Sequence, residues 1–494
     1  MKTNELLKIR GSIRNLLVFA AVVVSLLLFN SWSDELWKVR PPKFYPKGMA
    51  DSALFHGRHE TKEMLNCSSK AVCTSSSFSS KSLFSKVMNK NFDDDRAESC
   101  PFYFKWIVAD LWPWKESGIT LQLVEEAKEV ASFRLMIVKG RLFTEIYHKC
   151  FQTRDLFTIW AFSQLLKKYP GMVPDLDLMF NCEDKPLISR FDDKNNQTRK
   201  NPTPLFHYCG HRDFYDILFP DWSYWGWPEI RIPPWEVLIN EIQNGNQQVK
   251  WADRDPTAYW KGNPKVADVR MELLKCNKIS NWNGHLVVQD WKKESEKGFE
   301  NSKLSDQCKN RYKIYVEGNA WSVSLKNIMA CDSPTLLITP EYYEFFQRGL
   351  VPYKHYWPVR SDTMCDSIKF AVNWGNNHIK EAIEIGRAGS DFMLNELKMN
   401  YVYDYMFHVL REYAKLLKYK PFVTQNAVEY CSEAMICFAN EVEKQYMEAT
   451  MVTDPSPSPP CQLREAHTND QAIYEYIKQY KERILNVERM EEKE

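Results

Sequence analysis

Leu176 to Asp184 (LDLMFNCED) is the stretch on which the fold turns. Residues 176–182 form a short apolar run behind a Pro- and Gly-containing entrance, which predicts a buried strand. In open α/β sheets, ligands bind beyond the carboxyl ends of the strands. Asp184 stands two residues past the run, in the turn Asn181-Cys182-Glu183-Asp184-Lys185-Pro186. A carboxylate there is expected to point into a cleft, where it can take the proton of an attacking hydroxyl. The plainer alternative is an Asp that only caps its turn.

Working outward, Val124 to Val138 (VEEAKEVASFRLMIV) has the apolar spacing of a helix, and so has Thr153 to Tyr169. Tyr312 to Val316 and Thr335 to Ile338 read as strands, Ser324 to Ala330 as a helix, and Ile379 to Tyr419 as largely helical. Such alternation predicts an α/β protein with parallel sheets covered by helices. The length of 494 residues exceeds what one core supports and suits two such units facing each other across a cleft.

Three other groups compete for chemistry. Asp175-Leu176-Asp177 and Asp253-Arg254-Asp255 match the D-x-D pattern that holds a divalent metal on a diphosphate. Among 64 acidic residues such triplets arise readily by chance, and the first opens its strand at the end away from the ligand side. Both are read as structural. His207, Cys209 and His211 alternate as ligands on one strand face do, but a packed, satisfied trio is the expectation. Trp222 to Trp235 (WSYWGWPEIRIPPW) is too rich in proline for a helix or central strand. It reads as a loop that either packs beneath the cleft or offers indole faces to an acceptor.

Composition narrows the class. Hydrophobic residues make up 44% and charged residues 26%, so disorder cannot account for most of the chain. The net charge of +1, without any basic block, argues against nucleic acid as a partner. Leu16 to Phe29 (LLVFAAVVVSLLLF) is apolar, preceded by Lys2, Lys8, Arg10 and Arg14 and followed by Asp34 and Glu35. Extended to Trp32, it approaches the roughly 20 residues of a membrane span. The charge asymmetry predicts a cytosolic tail (1–15), a signal anchor (16–32) and a lumenal remainder. A cleaved signal peptide is the alternative, but no small-x-small cleavage site follows Phe29. Residues 33–99, polar and Ser-rich, read as a flexible stem. Asn66-Cys67-Ser68 and Asn196-Gln197-Thr198 are glycosylation patterns, and thirteen singly placed cysteines point to disulfides rather than to structural zinc. The odd total leaves at least one without an internal partner. Prolines in Asp454 to Pro460 interrupt regular structure, and Ala472 to Glu494 reads as a charged helix, together the tail 447–494. With no retrieval signal at Glu491 to Glu494, residence as a single-pass type II protein of the Golgi (or ER) membrane is expected.

Several motifs, in order, carry a resemblance. They are Gln152-Thr153-Arg154-Asp155; Pro174-Asp175-Leu176 leading to Asp184; the Trp-rich loop; Tyr259-Trp260-Lys261-Gly262-Asn263; Tyr312 to Gly318; and His355-Tyr356-Trp357-Pro358-Val359. From about Cys100 to Asn440 the chain resembles the Rumi-like protein O-glucosyltransferases and capsule-associated transferases of glycosyltransferase family 90, most of all their plant-type members. The resemblance implies a GT-B fold of two Rossmann-like domains across a cleft, residues 100–240 forming the acceptor half and 241–446 the nucleotide-sugar half. It implies a UDP-sugar donor (UDP-glucose or UDP-xylose), inversion at the anomeric carbon, no catalytic metal, and a protein or polysaccharide acceptor. The base falls on Asp184. Donor contacts fall on Asn263 and Arg270 and on the loop Asn319, Ala320, Trp321, Ser322, Val323, Ser324, whose backbone N–H groups face the diphosphate. Acceptor contacts fall on Trp227, Ile230, Pro233 and Trp235. Asn263 and Ser324 depart from the animal pattern, which has Ser and a phosphate-contacting Arg there; losing that Arg weakens donor binding unless Lys326 or Arg270 compensates. A glycan-binding scaffold that kept the fold, and a metal-dependent transferase using Asp175 and Asp177, are the competing readings.

Overall fold

The computed structural model describes residues 73, 98–191, 197–463 and 470–493. The expected tail, anchor and most of the stem, with Asn66 and Asn196, lie outside the described residues. Among those described, no helix is long and apolar enough to cross a membrane.

Two sheets organise the body. The first runs β13-β2-β1-β3-β4-β6, built from β1 (Phe133–Val138), β2 (Arg141–Ile146), β3 (Leu176–Phe180), β4 (Phe206–His207), β6 (Ile217–Leu218) and β13 (Val428–Tyr430). The second runs β12-β10-β9-β7-β8, from β7 (Asp255–Gly262), β8 (Gly284–Val288), β9 (Asn310–Tyr315), β10 (Thr335–Ile338) and β12 (Trp357–Val359). A two-stranded ribbon joins β5 (Gly210–His211) to β11 (Tyr342–Tyr343).

The second sheet is parallel throughout, as the alternation of strands and helices predicts. The first is mixed. β13, β2, β1 and β3 are antiparallel neighbours, and only β3-β4-β6 are parallel. This corrects the helix expected over residues 124–138. A helix does occupy Leu121–Glu126, but Phe133–Val138 is a strand between β2 and β3. Its apolar residues share helical spacing, yet partner strands pair with both of its edges, and tertiary pairing overrides local pattern.

The helices Arg154–Lys168 and Met399–Leu416 cover the first sheet, and Met364–Asn377 covers the second. β13 returns the chain to the first sheet, so the half expected over 241–446 is not one continuous block. Disulfides staple this return: Cys100–Cys461 ties the start of the body to its end, and Cys73–Cys431 fixes a residue of the expected stem beside β13. The C-terminal helix Asp470–Glu491 packs on the body instead of standing in solvent. Val487 is buried, Tyr476 Oη donates to the Leu350 carbonyl at 2.7 Å, and the Tyr480 and Tyr356 hydroxyls lie 2.9 Å apart.

Candidate active site

All five residues of β3 are buried, so the strand fixes the position of everything that follows it. Asn181 shapes the exit: its amide donates to the Val130 carbonyl at 2.7 Å, while its Oδ1 accepts from Glu183 N at 2.8 Å. Cys182 is bonded to Cys150, which locks the turn to the approach of helix Arg154–Lys168. The Cys209 thiol donates to the Asp184 carbonyl at 3.2 Å. The backbone thus presents Asp184 as a partly exposed side chain, with 30% of its surface open.

Its carboxylate is held from two sides. Arg154 Nη1 lies 3.0 Å from Oδ1. Asn319 Nδ2 donates to Oδ2 at 3.0 Å, across 135 residues of sequence. Asn319 opens the loop that leaves β9, so the candidate base and the expected donor loop meet directly. Arg154 is buried, stacked 4.5 Å over Trp222, and donates to the Cys182 carbonyl at 2.9 Å. The sequence reading quoted its motif but gave it no role.

Arg270 sits beneath the donor loop. Its guanidinium donates to the carbonyls of Glu317 (2.6 Å), Asn263 (3.1 Å) and Val316 (3.4 Å), and to Ser322 Oγ (3.3 Å). All four acceptors are neutral, and no carboxylate lies within ion-pair distance among the described residues. Burial pushes its pKa down to about 10. A buried cation satisfied only by dipoles leaves positive potential for an anionic ligand. Ser322 N donates to the Tyr315 hydroxyl at 3.2 Å, and Ser322 Oγ lies 2.9 Å from Ser324 Oγ. Ala320 and Trp321 are buried; the Trp321 indole donates to Asp221 at 3.3 Å and anchors the loop, with Val323 half-buried behind it. The Asn263 side chain accepts from Lys265 N and caps a turn, so its carbonyl is what meets Arg270.

Lys326 is enclosed, with Nζ donating to Ser223 Oγ at 2.8 Å and lying 3.7 Å from Asp221. It serves an interior cluster that also takes in Glu344, whose pKa burial raises to about 8.

The Trp-rich loop is two short 3₁₀ turns, Trp222–Tyr224 and Pro228–Ile230. Trp222, Tyr224 and Trp225 are core residues. Pro233 and Trp235 are buried as well, the Trp235 indole donating to the Leu397 carbonyl at 2.9 Å, so the acceptor contacts expected of them are corrected to packing. Trp227 and Ile230 remain half-exposed, with the Trp227 indole donating to Gln152 at 2.7 Å.

Asp177 accepts from Arg134 Nε (2.7 Å) and Nη2 (2.6 Å) and from the Tyr419 hydroxyl (2.9 Å), fully buried. Asp175 accepts from Lys139 N, and Asp255 from Thr257. His207 is buried, its pKa pushed down to about 4 by desolvation, and Cys209 beside it is the unpaired thiol among the described residues. Cys100, His408 and Cys461 converge, but the two sulfurs are already joined.

A model of glycosyl transferase family 90 matches residues 95–491. The chain belongs to that family. Curated relatives agree. Protein O-glucosyltransferase 1 of Bos taurus is 25% identical over 347 residues, covering 67% of this chain and 84% of its own. An O-glucosyltransferase rumi homolog of Anopheles gambiae is 25% identical over 384 residues, covering 72% and 91%. The O-glucosyltransferase rumi of Drosophila melanogaster is 24% identical over 345 residues. In this family 90 glycosyltransferase one loop touches both groups, the partly open carboxylate through Asn319 and the buried guanidinium through Ser322.

Proposed function

We propose that this family 90 member is an inverting, metal-independent transferase that moves glucose or xylose from a UDP-sugar to a hydroxyl of a protein or glycan. The single observation carrying the reading is the Asp184–Asn319 hydrogen bond, which joins a candidate base to the loop where the diphosphate is expected. In the proposed step an Asp184 oxygen takes the acceptor O–H proton as that oxygen attacks the anomeric carbon. The bond from that carbon to the diphosphate oxygen breaks with its electron pair, and UDP leaves from the opposite face. Arg270 answers the charge growing on the leaving group. Trp227 and Ile230, the half-exposed part of the Trp-rich loop, are the proposed acceptor contacts, and names of relatives acting on proteins favour a protein acceptor. The GT-B arrangement, and a type II anchor holding the body in the Golgi lumen, belong to the same proposal.

Calorimetry of the full-length chain with UDP tests it. Binding that survives EDTA, together with turnover of UDP-glucose or UDP-xylose, is expected. Binding that requires Mn²⁺ contradicts it, and no binding at all favours a scaffold.

A further inference from the structure

We propose that Arg154 and Asn319 are the positioning residues of the base: they act on the Asp184 carboxylate, not on the nucleotide-sugar. The inference rests on the transferase reading and extends it to how that site is regulated and aimed. Asn319 was expected on the donor, since it opens the donor loop, yet its amide is spent on Asp184 Oδ2 at 3.0 Å. Arg154 belongs to a motif for which the reaction as written has no use.

The geometry around Arg154 gives it one purpose. A guanidinium that is only 8% exposed is costly unless a charge answers it. Among the described residues its ion-pair partner is Asp184, at 3.0 Å. The rest of its environment is an aromatic wall, Trp222 at 4.5 Å and Phe151 at 5.4 Å, and the Cys182 carbonyl. Its Nε has no hydrogen-bond partner in the protein. Cys150–Cys182 ties the approach of its helix to the turn that carries Asp184. The result is a cation held beside one carboxylate oxygen by ion pairing, while its Nη1 donates to the Cys182 carbonyl.

Asn319 meets the other oxygen from the second sheet. That oxygen is therefore covered by the loop where the donor is expected, and an arriving acceptor hydroxyl must share it with Asn319 or displace it. Rearrangement of the loop on the diphosphate then decides how open the base is, which ties proton transfer to an occupied donor site. Holding a reacting group within a fraction of an ångström is worth orders of magnitude in rate.

The test compares the full-length wild type with Arg154→Lys, Arg154→Ala and Asn319→Ala, using UDP affinity by calorimetry and UDP-sugar turnover. The expected result for Arg154→Ala is a kcat loss of roughly 10²-fold, at the scale of a misplaced general base. Its donor KM and UDP Kd should stay within about twofold, a split that a donor contact does not produce. Arg154→Lys should recover part of the rate, and millimolar guanidinium ion should partly rescue Arg154→Ala. Asn319→Ala should keep UDP affinity while changing kcat. Where Arg154→Ala does not fold, Arg154→Lys and Asn319→Ala carry the comparison. A rise in donor KM or UDP Kd at unchanged kcat, in either residue's variants, overturns the inference alone. A wild type that turns over no UDP-sugar overturns the transferase reading and this inference with it.

Discussion

Asp177→Asn separates a structural carboxylate from a metal ligand. Asp177 is fully buried and takes two hydrogen bonds from Arg134, with a third from Tyr419. Asparagine is nearly isosteric, but it removes the charge and sets an NH₂ against a guanidinium N–H. Breaking a buried ion pair from one side costs about 3 to 5 kcal/mol. Arg134 keeps Glu125 at 2.6 Å, whose side chain is 45% exposed, so the lower end applies, about 3 kcal/mol. Unfolding entropy near 2.1 cal/mol/K per residue, over a body of about 400 residues, converts this to a Tm lowered by about 3 to 4 °C. Differential scanning fluorimetry with and without EDTA reads the shift, and UDP-sugar turnover below the new Tm should be retained. Replacing Arg134 and Asp177 together by apolar residues should recover much of the loss. An unchanged Tm with abolished, Mn²⁺-dependent turnover refutes the reasoning, because Asp177 would then belong to a D-x-D metal site.

Three further expectations follow from burial and cross-linking. Burial raises Asp216 to about 7 and Glu344 to about 8, so the folded state holds protons that the unfolded chain has released. That stability is full below about pH 4 and is lost as pH rises through 7 to 8. His207, His355 and His408, lowered by burial to about 4, act oppositely, their stability being lost as pH falls from about 6.5 to 4. The two sets oppose each other below pH 6.5, and above it the carboxyls are opposed by Lys313, which burial holds well below the usual lysine range. Between pH 6.5 and 8, Tm of Glu344→Gln should therefore rise relative to that of the wild type, and a difference that does not change with pH contradicts the assignment. Cys150→Ser opens a loop of sequence separation 32, worth about 3 to 4 kcal/mol in the chain-entropy account. Because Cys182 lies two residues before Asp184, the same variant should lower kcat at temperatures where it stays folded, and an unaltered kcat would show that the turn holds itself.

What the sequence made legible was the local part. β3, β9 and β10 are short apolar runs with clear boundaries, and the helix Arg154–Lys168 has an unbroken apolar stripe, so pattern sufficed. Phe133–Val138 was read as helix because its strand character is conferred by β2 and β3, one of them about forty residues away, which no local window contains. The site divides the same way. Asp184 could be found from its place after a strand, and Arg270 from the family resemblance. The Arg154 and Asn319 contacts join separate parts of the chain, 30 and 135 residues from Asp184, and only the folded molecule brings them together. The Trp-rich loop carried an ambiguity that composition cannot resolve. An indole packed in a core and one offered to a ligand are the same residue, and burial assigned Trp235 to the first and left Trp227 half open.

The claim on which the account stands is that Asp184 receives the acceptor proton. Turnover of UDP-glucose and UDP-xylose by Asp184→Asn, set beside its UDP affinity, tests it most directly. The account predicts a kcat reduced by roughly 10² to 10⁴ with UDP Kd unchanged. A variant that binds UDP normally and turns over at the wild-type rate would contradict it.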